Sequence, residues 1–205
     1  MDPEPGPEPE PPHDLATRAL PLRTFDNPTW FRSHKRKYGP LHFNAVGGRF
    51  CAPDRARFGT LYLGTDPRGA FLEAFVQSLG PAATGYVVSQ TLLNQSCLCV
   101  VMATRPLYLV DLTTGPMLRR LAAHADSRIS AGSHAVSQRW AEAFWGHPEQ
   151  PDGILYPCRR APELHSVALF DRVREDLVAD CATNLLPDPG ALAAILDHYD
   201  CALIP

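Results

Sequence analysis

The chain has 205 residues, 45% of them hydrophobic and 20% charged, with a formal net charge of −3. That balance predicts one domain with a full core, and the acidic sign argues against direct nucleic-acid binding, which calls for a basic face. No apolar run is long enough for a membrane span, and the N-terminus lacks the basic and apolar regions of a signal peptide, so a soluble, cytoplasmic setting without a membrane partner is expected.

Residues 1–13 open the chain as a Pro/Glu-rich stretch. Pro3, Pro5, Pro7, Pro9, Pro11 and Pro12 remove backbone donors, and Asp2, Glu4, Glu8 and Glu10 repel one another. An extended, disordered tail is expected there, with the folded domain over 14–205. Next, Trp30, Phe31 and Tyr38 bracket His34, Lys35, Arg36 and Lys37, which reads as a solvated face over aromatic anchors in preference to a patch for phosphate or an acidic partner. Leu41 to Val46 alternates enough for a strand, and Gly47 and Gly48 form a turn, either one that lets the backbone approach a ligand before Arg49 or a simple hairpin turn. Thr60 to Leu63 reads as a short buried strand. Asp66 and Pro67 then cap and start a helix over Pro67 to Leu79.

Further strands are expected at Cys97–Met102, Leu107–Leu112, Gly153–Pro157 and Ser166–Phe170, with another short apolar run at Tyr86–Val88. Ser133 to Trp145 carries Val136, Trp140, Ala143 and Phe144 at helical spacing, and Gly146, Pro148 and Pro151 end it. Pro189 to Tyr199 reads as a terminal helix and Ala202 to Ile204 as a last strand. Strands with interspersed helices, without regular βαβ alternation, give the α+β class with a mixed sheet.

The six cysteines, Cys51, Cys97, Cys99, Cys158, Cys181 and Cys201, contain no C-x-x-C pair, and the eight histidines form no metal-ligand cluster in sequence. Cys97 and Cys99 share one face of a strand and read as small buried hydrophobes, so no metal is expected.

Chemistry concentrates between residues 49 and 73. Arg49 offers a planar donor fork suited to phosphate or pyrophosphate. Tyr62, near a strand end, can stack on a flat heterocycle. Glu73 falls two turns into the following helix, off the Ala70/Ala74 stripe, and can stabilise a ribosyl cation. The three suggest a site for a nucleotide whose base is cut from its sugar.

The segments Gly48-Arg49-Phe50, Gly59-Thr60-Leu61-Tyr62-Leu63-Gly64 and Ala70-Phe71-Leu72-Glu73 resemble the first half of a RES domain. Leu109-Val110-Asp111-Leu112-Thr113 is similar to its middle signature. Gln138-Arg139-Trp140-Ala141, Asp152-Gly153-Ile154-Leu155-Tyr156-Pro157 and Val167-Ala168-Leu169-Phe170 are similar to its second half. The likeness runs from about Trp30 to Phe170 in matching order.

The resemblance implies a fold similar to ADP-ribosyltransferase toxins and an NAD-degrading toxin restrained by an antitoxin. NAD would be the substrate, and inorganic phosphate or water the acceptor. Arg49 takes the family arginine position, Tyr62 the aromatic one and Glu73 the glutamate, with Phe50 and Arg159 as further NAD contacts. The family serine follows the Tyr-Pro after the Asp-Gly turn; here that position is Cys158. Cys158 and Arg159 are therefore expected to orient the nucleophile or the ribose. A thiol hydrogen-bonds poorly. This motivates a nucleotide-binding module with weakened turnover as one alternative, and ADP-ribosyl transfer to a macromolecule from the same site is another. The sequence leaves a homodimer open.

Overall fold

A computed structural model describes residues 8–54, 57–76, 81–82, 85–122, 124–159, 161–181 and 189–205. The strands are β1 (Leu22–Phe25), β2 (Thr29–Lys35), β3 (Thr60–Gly64), β4 (Pro81–Ala82), β5 (Gly85–Ser89), β6 (Ser96–Ala103), β7 (Leu107–Asp111), β8 (Gly153–Pro157), β9 (His165–Phe170), β10 (Leu177–Asp180) and β11 (Cys201–Ile204). The helices are α1 (Pro67–Phe71), α2 (Gln90–Asn94), α3 (Gly115–Leu121), α4 (Arg128–Ala131), α5 (His134–Trp145) and α6 (Pro189–His198). Eight strands pair in the order β1–β7–β8–β9–β3–β2–β6–β10, and β11–β5–β4 form a small second sheet. In the large sheet β7 and β8 run parallel and the other pairings are antiparallel. The α+β class with a mixed sheet and interspersed helices is therefore the one observed.

The one parallel pairing of the large sheet, β7 with β8, explains the middle of the chain. Parallel neighbours need a long crossover, and here it carries α3, α4 and α5. Ser133 caps α5, its hydroxyl accepting from Val136 N at 3.3 Å. Val136, Trp140, Ala141 and Phe144 then pack against Val110, Ile154, Tyr156, Ala168 and Phe170 on one sheet face. The alternate residues Leu61, Leu63, Leu109, Leu155, Val167 and Leu169 pack with Trp30 and Phe43 on the other. With both faces covered, the central strands read as unbroken apolar runs.

Three expectations change. Leu41 to Val46 is not a strand: it contributes one bridge, Asn44 to Thr60. β2 touches β3 only at Phe31 and Gly64, so Asn44 takes the edge of β3 at Thr60, and Gly47 at φ +80° turns the chain away. The helix from Pro67 is five α residues followed by a π turn over Leu72–Val76, and its expected end at 77–79 lies outside the described residues. Of the N-terminal tail, residues 1–7 lie outside them too, while Glu8 to Pro12 rest against α5. Pro9 is buried, its carbonyl accepts from Trp140 Nε1 at 2.7 Å, and Arg139 pairs with Glu8 and Glu10. A repelling acidic run is held down here by one guanidinium and one indole.

The Asp-Gly turn before β8 has a structural cause. Gly153 lies so close to β9 that a Cβ would stand 2.4 Å from the Ala168 carbonyl oxygen. Asp152 is buried and takes both terminal nitrogens of Arg105, at 2.9 and 3.0 Å, and the Tyr108 backbone N–H at 2.8 Å. Arg105 also donates to Asp176 at 2.9 Å, tying the starts of β7, β8 and β10 together. Asp152→Asn removes the charge-assisted pair while leaving Arg105 access to water, a loss of about 2 kcal/mol. For a chain of this size the melting temperature falls by roughly 4–8 °C; an unchanged melting curve would refute this role.

Candidate active site

The site begins at the end of β3. A Cβ on Gly64 would stand 2.4 Å from the Ala70 backbone nitrogen, so glycine lets α1 rest directly on the strand end. Asp66 caps that helix, its Oδ1 accepting from Arg68 N at 2.8 Å, and Pro67 occupies the first turn. The π turn follows, a distortion that recurs at functional positions. Ala70, Glu73 and Ala74 line one cavity. Glu73 thus shares the Ala70/Ala74 face rather than standing off it, because positions three and four apart are neighbours on a helix.

Glu73 is fixed from the sheet. Its Oε1 accepts from Ser166 Oγ at 3.1 Å. In β9, Ser166 stands opposite Gly64 on one side and Tyr156 on the other. Tyr62, two residues before Gly64 on β3, faces the same side. Its hydroxyl accepts the Phe50 N–H at 2.7 Å. A Cβ on Gly48 would fall 2.4 Å from that phenolic oxygen, so the second glycine makes room for Tyr62. Gly47 and Gly48 also line the cavity.

Arg49 comes in from the loop. Its Nη1 donates to the Gly132 carbonyl at 2.7 Å and to Ser137 Oγ at 3.3 Å, which sets the guanidinium against the start of α5. The cavity has a volume of about 390 Å³, within the range of small-molecule sites. Arg49, Tyr62, Glu73 and Arg159 all line it. Tyr156, His134 and Ser130 also line it.

Electrostatics separate these groups. Burial and the Arg159 charge lower the Arg49 pKa, while Tyr156, Glu73 and Tyr62 support its charged form. Burial pushes both phenols well above the usual tyrosine range, with Cys51 adding to the shift at Tyr62 and Glu73 at Tyr156, so both stay neutral donors. His134 is pushed down by burial, then by Arg49 and Arg159, which favours the uncharged imidazole. Two guanidiniums, a carboxylate and neutral polar rings suit an anionic ligand that develops positive charge at one atom.

Phe50 and Cys158 are not brought into this wall. Phe50 is fully buried, with its ring edge-on to Tyr156 at 4.9 Å. It supports the tyrosine from behind. Cys158 lies just past the end of β8, fully buried in an apolar cluster with Phe71, Leu72 and Leu98, and its N–H donates to the Leu164 carbonyl at 2.8 Å. Arg160, next to Arg159 in the motif, lies outside the described residues. The serine hydroxyls at the site come from other elements: Ser33 and Ser130 in the wall, Ser137 on Arg49 and Ser166 on Glu73. Sequence reasoning missed Tyr156, His134 and these serines. A serine inside the buried apolar run of β9 was the available signal, since a polar group there needs a partner.

Among the described residues no helix is long and apolar enough to cross a membrane. The RES domain matches residues 26–190. A protein of Sinorhizobium fredii described as probable toxin y4kH is 36% identical over 109 residues, covering 53% of this chain and 83% of that protein. A chain in the crystal structure of the M. tuberculosis MbcT–MbcA toxin–antitoxin complex shares the fold with a TM-score of 0.59 at 18% identity, covering 85% of this chain and 90% of that one. The match to residues 26–190 takes in every side chain of the cavity wall: the chain belongs to the RES domain family.

Proposed function

We propose that this protein is the toxin of a toxin–antitoxin pair and that it breaks the nicotinamide–ribose bond of NAD. The observation that carries this reading is the meeting of Arg49, Tyr62, Tyr156 and Glu73 in one cavity, with Glu73 fixed by Ser166. The toxin relatives support the biological role, and a protein partner that covers the cavity is part of the proposal.

The guanidiniums of Arg49 and Arg159 would take the pyrophosphate oxygens. One of the tyrosines would lie along the nicotinamide. As the bond from the anomeric carbon to the ring nitrogen breaks, its electron pair goes to the nitrogen and nicotinamide leaves neutral, so no general acid is needed. Positive charge builds on the ribose, and Glu73 stands ready to offset it. Water or phosphate then attacks the anomeric carbon. His134, held uncharged, is suited to accept the proton that an attacking water releases. The weakened-module alternative rested on Cys158 replacing a working hydroxyl, and Cys158 does not line the cavity.

Glu73→Gln should lower nicotinamide release by about a hundredfold or more while KM for NAD stays within roughly threefold. Running the wild type with and without phosphate identifies the acceptor from the product, ADP-ribose or its phosphate ester. Full release by Glu73→Gln, or label appearing on a macromolecule in place of free product, would count against the proposal.

Cys158→Ser should leave turnover within about twofold and lower the melting temperature, because a hydroxyl in an apolar cluster costs about 1–3 kcal/mol. A large change in rate would return residue 158 to the reacting centre. In a proton NMR titration, His134 should titrate below the ordinary histidine range and move upward in Arg159→Ala, which removes a cation that penalises imidazolium. No movement would mean that Arg159 does not act on that ring.

A further inference from the structure

On the reverse face of the large sheet, three side chains from three neighbouring strands point at one spot. His34 lies on β2 and Cys99 on β6, while Cys181 immediately follows β10. Their Nε2 and two Sγ atoms all lie within 4.8 Å of one another. Ser33, one residue before His34, lines the cavity. Alternation along β2 therefore puts His34 on the opposite side from the site described above.

The register explains the meeting. His34 pairs with Cys97 across β2 and β6, so it stands diagonal to Cys99. Asp180 pairs with Val100 across β10 and β6, which carries Cys181 alongside Cys99.

Three details suit metal coordination. His34 Nδ1 lies 3.0 Å from the Lys35 carbonyl oxygen. A carbonyl only accepts, so Nδ1 carries the hydrogen and Nε2 keeps its lone pair, the arrangement that orients a ligating histidine. Nε2 lies 3.4 Å from Cys99 Sγ, against about 3.5 Å for the N–S edge of a tetrahedral zinc site with ordinary bond lengths. Burial is graded: Cys99 is buried, His34 half-buried and Cys181 exposed. That leaves a fourth position on the solvent side for a water.

We propose that His34, Cys99 and Cys181 form a binding site for a single borderline-soft d¹⁰ cation, Zn²⁺, on the face of the sheet away from the NAD cavity. The site would clip the chain after β10 to β2 and β6. It is independent of the proposed NAD chemistry. Local spacing gave no hint of it, because the ligands come from strands brought together only by the sheet.

The test uses the full-length, reduced protein and Co²⁺ as a spectroscopic probe. The expected result is one equivalent bound, with sulfur-to-cobalt charge transfer in the near ultraviolet and tetrahedral bands in the visible, both lost when Zn²⁺ is added. Cys181→Ser, an exposed position, and His34→Ala should each weaken binding tenfold or more, whereas Cys201→Ser should not change it. Zn²⁺ should raise the melting temperature of the wild type and leave that of Cys181→Ser unchanged, a readout separate from catalysis. Absence of the charge-transfer band, equal affinity in all variants, or a melting shift that survives in Cys181→Ser would each overturn the proposal.

Discussion

Along the doubly covered strands β3, β8 and β9 a buried polar side chain is met by another group, whereas Arg32 and Ser33 on the neighbouring β2 keep buried polar atoms without a hydrogen-bond partner. This constraint organises the molecule. Thr60 satisfies it by donating to the Phe50 carbonyl at 2.9 Å, Asp152 by taking the Arg105 fork, and Ser166 by donating to Glu73. The first fixes the loop that carries Arg49, the second fixes the entry to β8, and the third fixes the carboxylate. The geometry of the cavity wall is thus largely the set of solutions that the buried sheet found for its own polar groups.

Close backbone approach is the second requirement. Gly64 lets a helix rest on a strand end, Gly48 lets a phenol pass beneath a loop, and Gly153 lets two strands come together beside Asp152. None of these glycines supplies chemistry. Each sets the separation between elements that do, so a single added methyl group would move a side chain that lines the cavity.

Much of this was legible in the sequence. β-branched and leucine-rich runs marked β6 to β9 because doubly covered strands are apolar on both sides. Asp66 and Pro67 marked α1, and Ser133 marked α5. Arg49, Tyr62, Glu73 and Arg159 were legible through residue chemistry and family likeness together. Phe50 and Cys158 were not, because adjacency in a motif does not say which way a side chain points. Phe50 backs Tyr156, and Cys158 falls past the strand end into apolar surroundings. Tyr156 stood inside an expected strand with no role of its own assigned, yet it lines the cavity. The segment 41–46 alternates like a strand, but one bridge to Thr60 was all the sheet had left to offer it.

The anchoring of Pro9 on Trp140 carries a consequence for handling the chain. The indole N–H is buried with that carbonyl as its acceptor, and α5, whose first residue is His134, is the helix it belongs to. Trimming the acidic leader to obtain a tidier domain would strand that donor, at about 1–3 kcal/mol, and would loosen the helix bearing part of the cavity wall. Residues 8–12 behave as a strap over α5, and a version shortened past them would be destabilised for reasons unrelated to the chemistry of the cavity.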